Sequence, residues 1–281
     1  MVDPIVTARR SAWRGDGIVE GVRTIPRETP VALTYNRITH AVMLASPADL
    51  EDFAVGFSLS EGIVETAADI RALDIVEVPD GIECRMDLAP GALDDLTRRQ
   101  RRLAGPSGCG LCGLDSLAAA IRPAPAVPVG RTFSPGMIQD AMRSMPSAQI
   151  LNVATHAVHA AAYWSPEQGL HVLREDVGRH NALDKLSGAL ARLAVTVAEG
   201  LVLLSSRVSV EMVQKAATLG APVVVAISAP TSLAIEVAED AGITLIGVAR
   251  SDGFEVFTHP NRISSYPSAW RPAEKAENRV A

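Results

Sequence analysis

Two regimes of hydrophobic patterning divide this chain. From Gly17 to Leu88 apolar residues come in short alternating runs, the period of half-buried strands: Gly17 to Ile25, Val31 to Tyr35 and Ile38 to Leu44, with Asn36-Arg37 as a tight turn. Asp74 to Val78 and Ile82 to Leu88 read as a hairpin around Pro79-Asp80-Gly81. One helix interrupts them, with Ser46 as its cap, Pro47 in its first turn, an apolar face of Leu50, Phe53, Ala54 and Phe57, and an end near Gly62.

From Ile150 onward the runs become nearly continuous and apolar. Val158 to Trp164 and Leu170 to Arg174 predict strands on either side of a Pro-Gly turn, followed by a helix from Arg179 to Leu193. Strand Leu201 to Ser205, helix Val210 to Leu219, strand Val223 to Ser228, helix Leu233 to Ala241, strand Thr244 to Val248 and strand Phe254 to Thr258 complete the series. Strands separated by helices of this length imply βαβ crossovers and a largely parallel sheet flanked by helices. The expected organisation is therefore α/β with a smaller N-terminal α+β unit: a loose arm over 1–17, that unit over 18–125, an α/β domain over 126–266, and a disordered tail over 267–281. The proline-rich Arg122 to Pro128 serves as the linker, and Ser134-Pro135 opens a helix through Met142.

Composition narrows the classes. The 281 residues are 48% hydrophobic and 21% charged, enough to bury a sizeable core. A net charge of −6 and a pI near 5.6 supply no field for nucleic acid or anionic lipid, so an anionic ligand needs a local basic patch. Arg98-Arg99-Gln100-Arg101-Arg102 is one such cluster, although a charge run is more often a solvated face. No apolar run approaches the roughly 18 residues of a membrane helix, and Met1-Val2-Asp3-Pro4 does not open a signal peptide; a cytoplasmic protein is expected.

Two of the three cysteines fall in Gly105-Pro106-Ser107-Gly108-Cys109-Gly110-Leu111-Cys112-Gly113. Glycines on both sides open a thiol to a bulky reactant, and a helix following the loop would favour the thiolate. Four chemistries compete for Cys109 and Cys112. Structural zinc wants a second ligand pair, and none exists at suitable spacing. A nucleobase-deaminase zinc wants a glutamate two residues after its first ligand, which neither His156 nor His159 has. A thioredoxin-like redox pair wants a preceding βαβ strand, and a sulfur carrier wants one exposed nucleophilic thiolate. The pair alone does not choose among them.

Polar residues concentrate again in Arg174 to Lys185, where His180 and Asp184 lie one turn apart on one helix face. His180 is a candidate base or hydrogen-bonding group, with Asp184 as its orienter and Asp176 as a helix cap; the plain alternative is a capped helix with a salt-bridged surface. The loops Ser205 to Ser209, Ser228 to Ser232 and Ala249 to Gly253 leave strand carboxyl ends, where ligands of open α/β sheets bind.

Together these segments resemble the FdhD family, the accessory sulfurtransferases of formate dehydrogenases. The resemblance covers about residues 28–263 and rests on Glu28-Thr29-Pro30-Val31, Ala54-Val55-Gly56-Phe57, Ser60-Glu61-Gly62, the glycine-wrapped cysteine loop, His159-Ala160-Ala161, Asp176 to Lys185, Ser209 to Lys215 and Ser228 to Thr231. It implies a cytidine-deaminase-like fold without the deaminase zinc or any metal of its own, in a homodimer. It implies transfer of sulfur from a cysteine desulfurase to the molybdenum cofactor, Mo-bis(molybdopterin guanine dinucleotide), required by the formate dehydrogenase catalytic subunit, with GDP as a mimic of the cofactor's nucleotide. By position, Cys109 matches the persulfide-forming cysteine and Cys112 its partner. Val248, Ala249, Arg250, Ser251, Asp252 and Gly253 match the cofactor-binding segment, to which Ser205 and Arg207 are added as ligand-loop residues. The rival within this resemblance is a non-catalytic cofactor chaperone whose cysteines are structural.

Overall fold

A computed structural model describes residues 2–91 and 123–266. The basic cluster 98–102, the cysteine loop, the helix expected after it and the tail lie outside the described residues. The described chain is mixed α/β and forms two compact units, one from 2–91, 145–162 and 172–195, the other from 123–144, 163–171 and 196–266.

The first unit opens with β1 (Ile5–Arg14) and β2 (Gly17–Pro26), an antiparallel two-stranded ribbon in continuous register from Ile5 opposite Pro26 to Arg14 opposite Gly17. This corrects the loose arm expected over 1–17. Alternating Val6, Ala8, Arg10 and Ala12 form the less exposed face of β1, a signal obscured by the arginines between them. Next come β3 (Thr29–Tyr35) and β4 (Ile38–Ala45), joined at Asn36 and Arg37, both at positive φ, as the tight turn requires. With β5 (Ile70–Val78) and β6 (Gly81–Leu88) they make a four-stranded sheet of order β4-β3-β6-β5, β3 and β6 running parallel.

On that sheet lies α1 (Leu50–Ser60). Leu50, Phe53, Ala54 and Phe57 meet Val31, Leu33, Tyr35, Ile82, Cys84 and Met86 in a continuous core. Full burial of each large apolar side chain contributes about 1.5–3 kcal/mol. The helix begins later than expected: Asp49, at φ 53, is its N-cap, and Ser46 is not. Ser46 is consumed by long-range partners described below.

The helix expected from Ser134-Pro135 is present as α2 (Pro135–Ala148) but runs past Met142 through Pro146, and α3 (Ile150–Thr155) occupies a stretch for which no helix was expected. Strands β7 (His159–Ser165) and β8 (Gly169–Asp176) flank the predicted turn, and α4 (Arg179–Arg192) follows. In the first unit α4 crosses α1 with backbone nearly touching backbone. A Cβ on Gly56 would stand 1.7 Å from the Asp184 carbonyl oxygen, and one on Gly188 would stand 1.9 Å from that of Asp52. Arg192 Nη1 and Arg174 Nη2 hold the two oxygens of Asp52 at 2.5 and 2.7 Å, fastening the same crossing.

The second unit follows the predicted alternation: β9 (Leu201–Leu204), α5 (Val210–Thr218), β10 (Val223–Ala226), α6 (Ser232–Ala241), β11 (Thr244–Arg250) and β12 (Gly253–Val256). The strands β9, β10 and β11 are parallel, each one fully buried except the end of β11, and β12 returns antiparallel. The six-stranded sheet has the order β12-β11-β10-β9-β7-β8. Arg262 is buried in this unit without a carboxylate partner among the described residues. It donates to the carbonyls of Val129, Pro128 and Gly242 and to Thr244 Oγ1, tying 128–129 to the end of α6.

Candidate functional site

The Arg174 to Lys185 segment folds around one carboxylate. Asp176 Oδ1 accepts from Gly178 N–H at 2.8 Å and Asn181 Nδ2 at 2.9 Å, while Oδ2 accepts from Ser46 N–H at 2.9 Å and Lys185 Nζ at 2.7 Å. Lys185, 0% exposed, also donates to the Ser46 carbonyl at 2.9 Å, and Ser46 Oγ accepts from Val177 N–H at 3.1 Å. Every charge in this knot is therefore hydrogen-bonded, the condition under which a buried ion pair is tolerated. Asp176, expected as the cap of α4, does not cap it directly: Gly178 is the N-cap, and its N–H donates to Asp176 Oδ1.

The knot fixes the start of α4, and with it Arg179 and His180 in the first turn. His180 is half-buried there, and Arg179 Nε is buried without a hydrogen-bond partner among the described residues. His159, at the head of β7, is pushed below the usual histidine range, first by burial and then by the charge of Arg179. Asp184 is buried and accepts from Ser60 Oγ at 2.7 Å. Glu175 caps α3 by accepting from Leu151 N–H and Asn152 N–H, both at 2.8 Å, and burial raises its carboxyl above the usual range.

In the second unit the three loops named from the sequence come together at the carboxyl ends of β9, β10 and β11. Val208 N–H donates to the Ala229 carbonyl, Thr231 N–H to the Val208 carbonyl at 3.0 Å, and Val248 N–H to the Ser228 carbonyl. Gly247 fits closely there: a Cβ would stand 3.0 Å from Phe257 Cε2 and from Pro230 Cδ and 3.1 Å from the Ser228 carbonyl oxygen, so its neighbours would have to give way. Just beyond it, β11 and β12 shift register between Gly247 and Arg250, and Val248 sits at φ 50. A β-branched residue in the left-handed region is strained, and such strain concentrates at ligand-binding segments.

Arg207, Arg250, Ser251 and Asp252 of these loops are exposed, Ser205, Val248 and Gly253 are half-buried, and Ala249 is buried beneath them. Ser209, which the sequence reading left within its loop, is the N-cap of α5. Its hydroxyl is buried and has no hydrogen-bond partner among the described residues. A serine directly before an amphipathic helix was the available signal.

The structure thus brings Ser205, Arg207 and Val248 to Gly253 to one edge of the second unit and places His180 in the first. Cys109 and Cys112 lie outside the described residues. The third cysteine, Cys84, is in the first unit's core at 0% exposure, and burial pushes its thiol up to about 12. Among the described residues no cluster of three or more His, Cys, Asp or Glu could hold a metal ion, and no helix is long and apolar enough to cross a membrane.

The described residues thus form a mixed α/β protein with a loop-built edge at the carboxyl ends of β9, β10 and β11 in one unit and a buried Asp176–Lys185 ion pair at the start of α4 in the other. The FdhD/NarQ family model matches residues 26–264, and the chain belongs to that family. It is 49% identical over 255 residues to the sulfur carrier protein FdhD of Agrobacterium fabrum, covering 90% of this chain and 94% of that one. It is 51% identical over 253 residues to the protein of the same name from Brucella abortus, again covering 90% and 94%. Among solved structures, a formate dehydrogenase accessory protein from Desulfotalea psychrophila superposes with a TM-score of 0.73 at 25% identity, covering 93% of this chain and all of that one.

Proposed function

We propose that this protein is a sulfur carrier for formate dehydrogenase maturation, with Cys109 as the carrying thiol. The observation that carries this reading is the fate of the third cysteine: Cys84 is sealed in the core and protonated at neutral pH, leaving thiol chemistry to Cys109 and Cys112 in their glycine-wrapped loop. The names of the relatives, sulfur carrier proteins and a formate dehydrogenase accessory protein, support the same reading.

In this scheme the Cys109 thiolate attacks the terminal sulfur of a cysteine desulfurase persulfide. A new S–S bond forms on Cys109 as the donor's S–S bond breaks and the donor leaves as a thiolate. Cys112 assists, and His180, in the first turn of α4, is the candidate proton donor or acceptor. The acceptor substrate is the molybdenum cofactor, Mo-bis(molybdopterin guanine dinucleotide), in its reduced form: the S–S bond of the Cys109 persulfide breaks, the outer sulfur takes two electrons from the reduced metal and stays on it as sulfide, and Cys109 leaves as the thiolate. The cofactor's guanine nucleotide end sits on the loop edge of the second unit. There Arg207 and Arg250 supply charge, the α5 N-terminus supplies backbone N–H groups, and Ser209 Oγ supplies a hydroxyl with no other partner among the described residues. The parallel β9-β10-β11 core agrees with the cytidine-deaminase-like fold of this scheme, and the protein works in the cytoplasm as a homodimer.

Incubation with a cysteine desulfurase and cysteine should add 32 Da, about one sulfur atom, to Cys109 in the intact-mass spectrum. A wild-type protein without the adduct, or an adduct that survives Cys109→Ala, would sink the assignment. Cys84→Ala should load normally. GDP, standing in for the nucleotide end, should bind the wild type, and Ser209→Ala should weaken it about tenfold by calorimetry, the worth of one hydrogen bond to a charged group. Unchanged affinity would remove Ser209 from the site.

A chaperone that shelters the cofactor without carrying sulfur is the second reading. It is favoured by the assembly of the loop edge wholly within the second unit. Formate dehydrogenase activated by Cys109→Ala would select it.

A further inference from the structure

The head of α4 carries a positive charge that no described residue answers. Arg179 is the first residue of the helix, and the first turn holds no acidic residue. A cation there meets the positive end of the helix dipole, the reverse of the favourable arrangement. Arg179 is half-buried, and its Nε is closed off from solvent without a hydrogen-bond partner among the described residues. A donor withdrawn from water and left unbonded costs about 1–3 kcal/mol.

The acids closest in sequence are already committed. Asp176 receives four donors, from Gly178, Asn181, Ser46 and Lys185, and the buried ammonium of Lys185 offsets its charge. Glu175 is taken up by the amides of Leu151 and Asn152. What does stand beside Arg179 is His159. Strands β7 and β8 are neighbours joined by a turn, so the head of β7 lies beside the end of β8, just before α4 begins. Burial and then the Arg179 charge lower the His159 pKa, with Asp176 acting in the opposite sense. His159 is therefore neutral at neutral pH and offers one ring N–H without adding a second charge. Two donor side chains from different elements meet here, both within the first unit.

We propose that Arg179 and His159 hold a tetrahedral oxyanion of the phosphate class at the head of α4. The guanidinium presents Nε–H and an Nη–H to two oxygens in the fork that suits phosphate, and the imidazole donates to a third. A bound dianion offsets the Arg179 charge, bonds its buried N–H and gives the helix end the negative neighbour it lacks. Donors for three oxygens suit a tetrahedral ion better than a planar carboxylate, which has two. The site goes beyond the sulfur chemistry and the nucleotide edge proposed above and depends on neither.

Titration of the full chain with inorganic phosphate at constant ionic strength tests it, read by the proton–nitrogen NMR correlations of the His159 ring, which His159→Gln assigns. Phosphate should move these resonances saturably and raise the pH midpoint of His159, because a bound anion favours the imidazolium. Arg179→Gln should weaken this binding about tenfold, the worth of one hydrogen bond to a charged group. Even without phosphate it should raise the His159 midpoint, since a repelling charge has gone. Arg179→Lys keeps the charge without the fork and should bind with intermediate affinity. If Arg179→Gln does not fold by far-UV circular dichroism, Arg179→Lys and the wild-type titration decide. Phenyl phosphate identifies the source: binding as tight as that of inorganic phosphate assigns the site to a phosphate ester of a larger ligand, and binding of inorganic phosphate alone assigns it to the free ion. Either supports the site. A wild type whose His159 resonances ignore phosphate overturns it, as does an equal response to acetate, unchanged affinity in both Arg179 variants, or an unchanged His159 midpoint in Arg179→Gln. The response should persist in Ser209→Ala; its loss there would move the phosphate to the α5 end and overturn this site while leaving the nucleotide edge standing.

Discussion

The strongest single-residue statement in this structure concerns Lys185. A fully buried ammonium is costly unless its partners are all present, and here they are: one carboxylate oxygen of Asp176 and the carbonyls of Ser46 and Glu175. Removing the lysine leaves Asp176 charged and under-bonded in the interior. Lys185→Met should therefore cost about 3–5 kcal/mol in urea-monitored unfolding. Combined with Asp176→Asn, the two losses should sum to clearly more than the double variant shows, because each single change orphans the other group. Additive losses would mean that the pair is not coupled. None of this was legible from the sequence alone. The run Asp176 to Lys185 stood out as polar and helix-capping, and His180 and Asp184 were placed on one helical face, but Ser46 lies 130 residues from Asp176 and looked like a cap for its own helix. Local capping rules compete poorly against a long-range partner that satisfies the same hydroxyl and amide.

At the scale of elements, the crossing of α1 and α4 is set by glycines. A glycine inside a helix costs roughly 1 kcal/mol relative to alanine in propensity. Gly56 and Gly188 offset that by letting the two backbones meet, with the Asp52 carboxylate held between Arg174 and Arg192 beside them. Gly56→Ala or Gly188→Ala must push the helices apart, because the obstruction is backbone rather than a flexible side-chain end. Each should lower the unfolding free energy read from a urea titration by more than the roughly 1–3 kcal/mol typical of overpacking. A stabilised Gly56→Ala, as propensity alone would predict, would show that the crossing is looser than described. Most elements were readable because their hydrophobic period is strong: β3, β4, β5 and β6 alternate, and β9, β10 and β11 are short apolar runs between helices. The two that were missed, β1 and α3, carry weak patterns. In β1 arginines interrupt the alternation, and α3 presents Ile150 and Val153 to solvent, so its apolar residues do not mark a buried face.

For the whole molecule, the edge at the carboxyl ends of β9, β10 and β11 was predictable from topology, since parallel strands gather their outgoing loops at one end. The strain at Val248 was not, because a left-handed valine follows from the β11–β12 register shift and leaves no trace in composition. The cysteines divide between chemistry and core, and the division gives the protein an internal gauge. Cys84 lies between β3 and β5 in the middle of the four-stranded sheet, with its thiol donating toward the Leu50 carbonyl. A thiol reagent can reach it only when that sheet opens. In a Cys109→Ala/Cys112→Ala background the labelling rate of Cys84, divided by the rate for an unfolded peptide thiol, should equal the population of the open sheet and should rise in parallel with the global unfolding constant as urea is added. Labelling that is fast and independent of urea would mean that the sheet opens by local fluctuation. The residue withheld from sulfur transfer thus becomes the clock by which the stability of the rest can be timed.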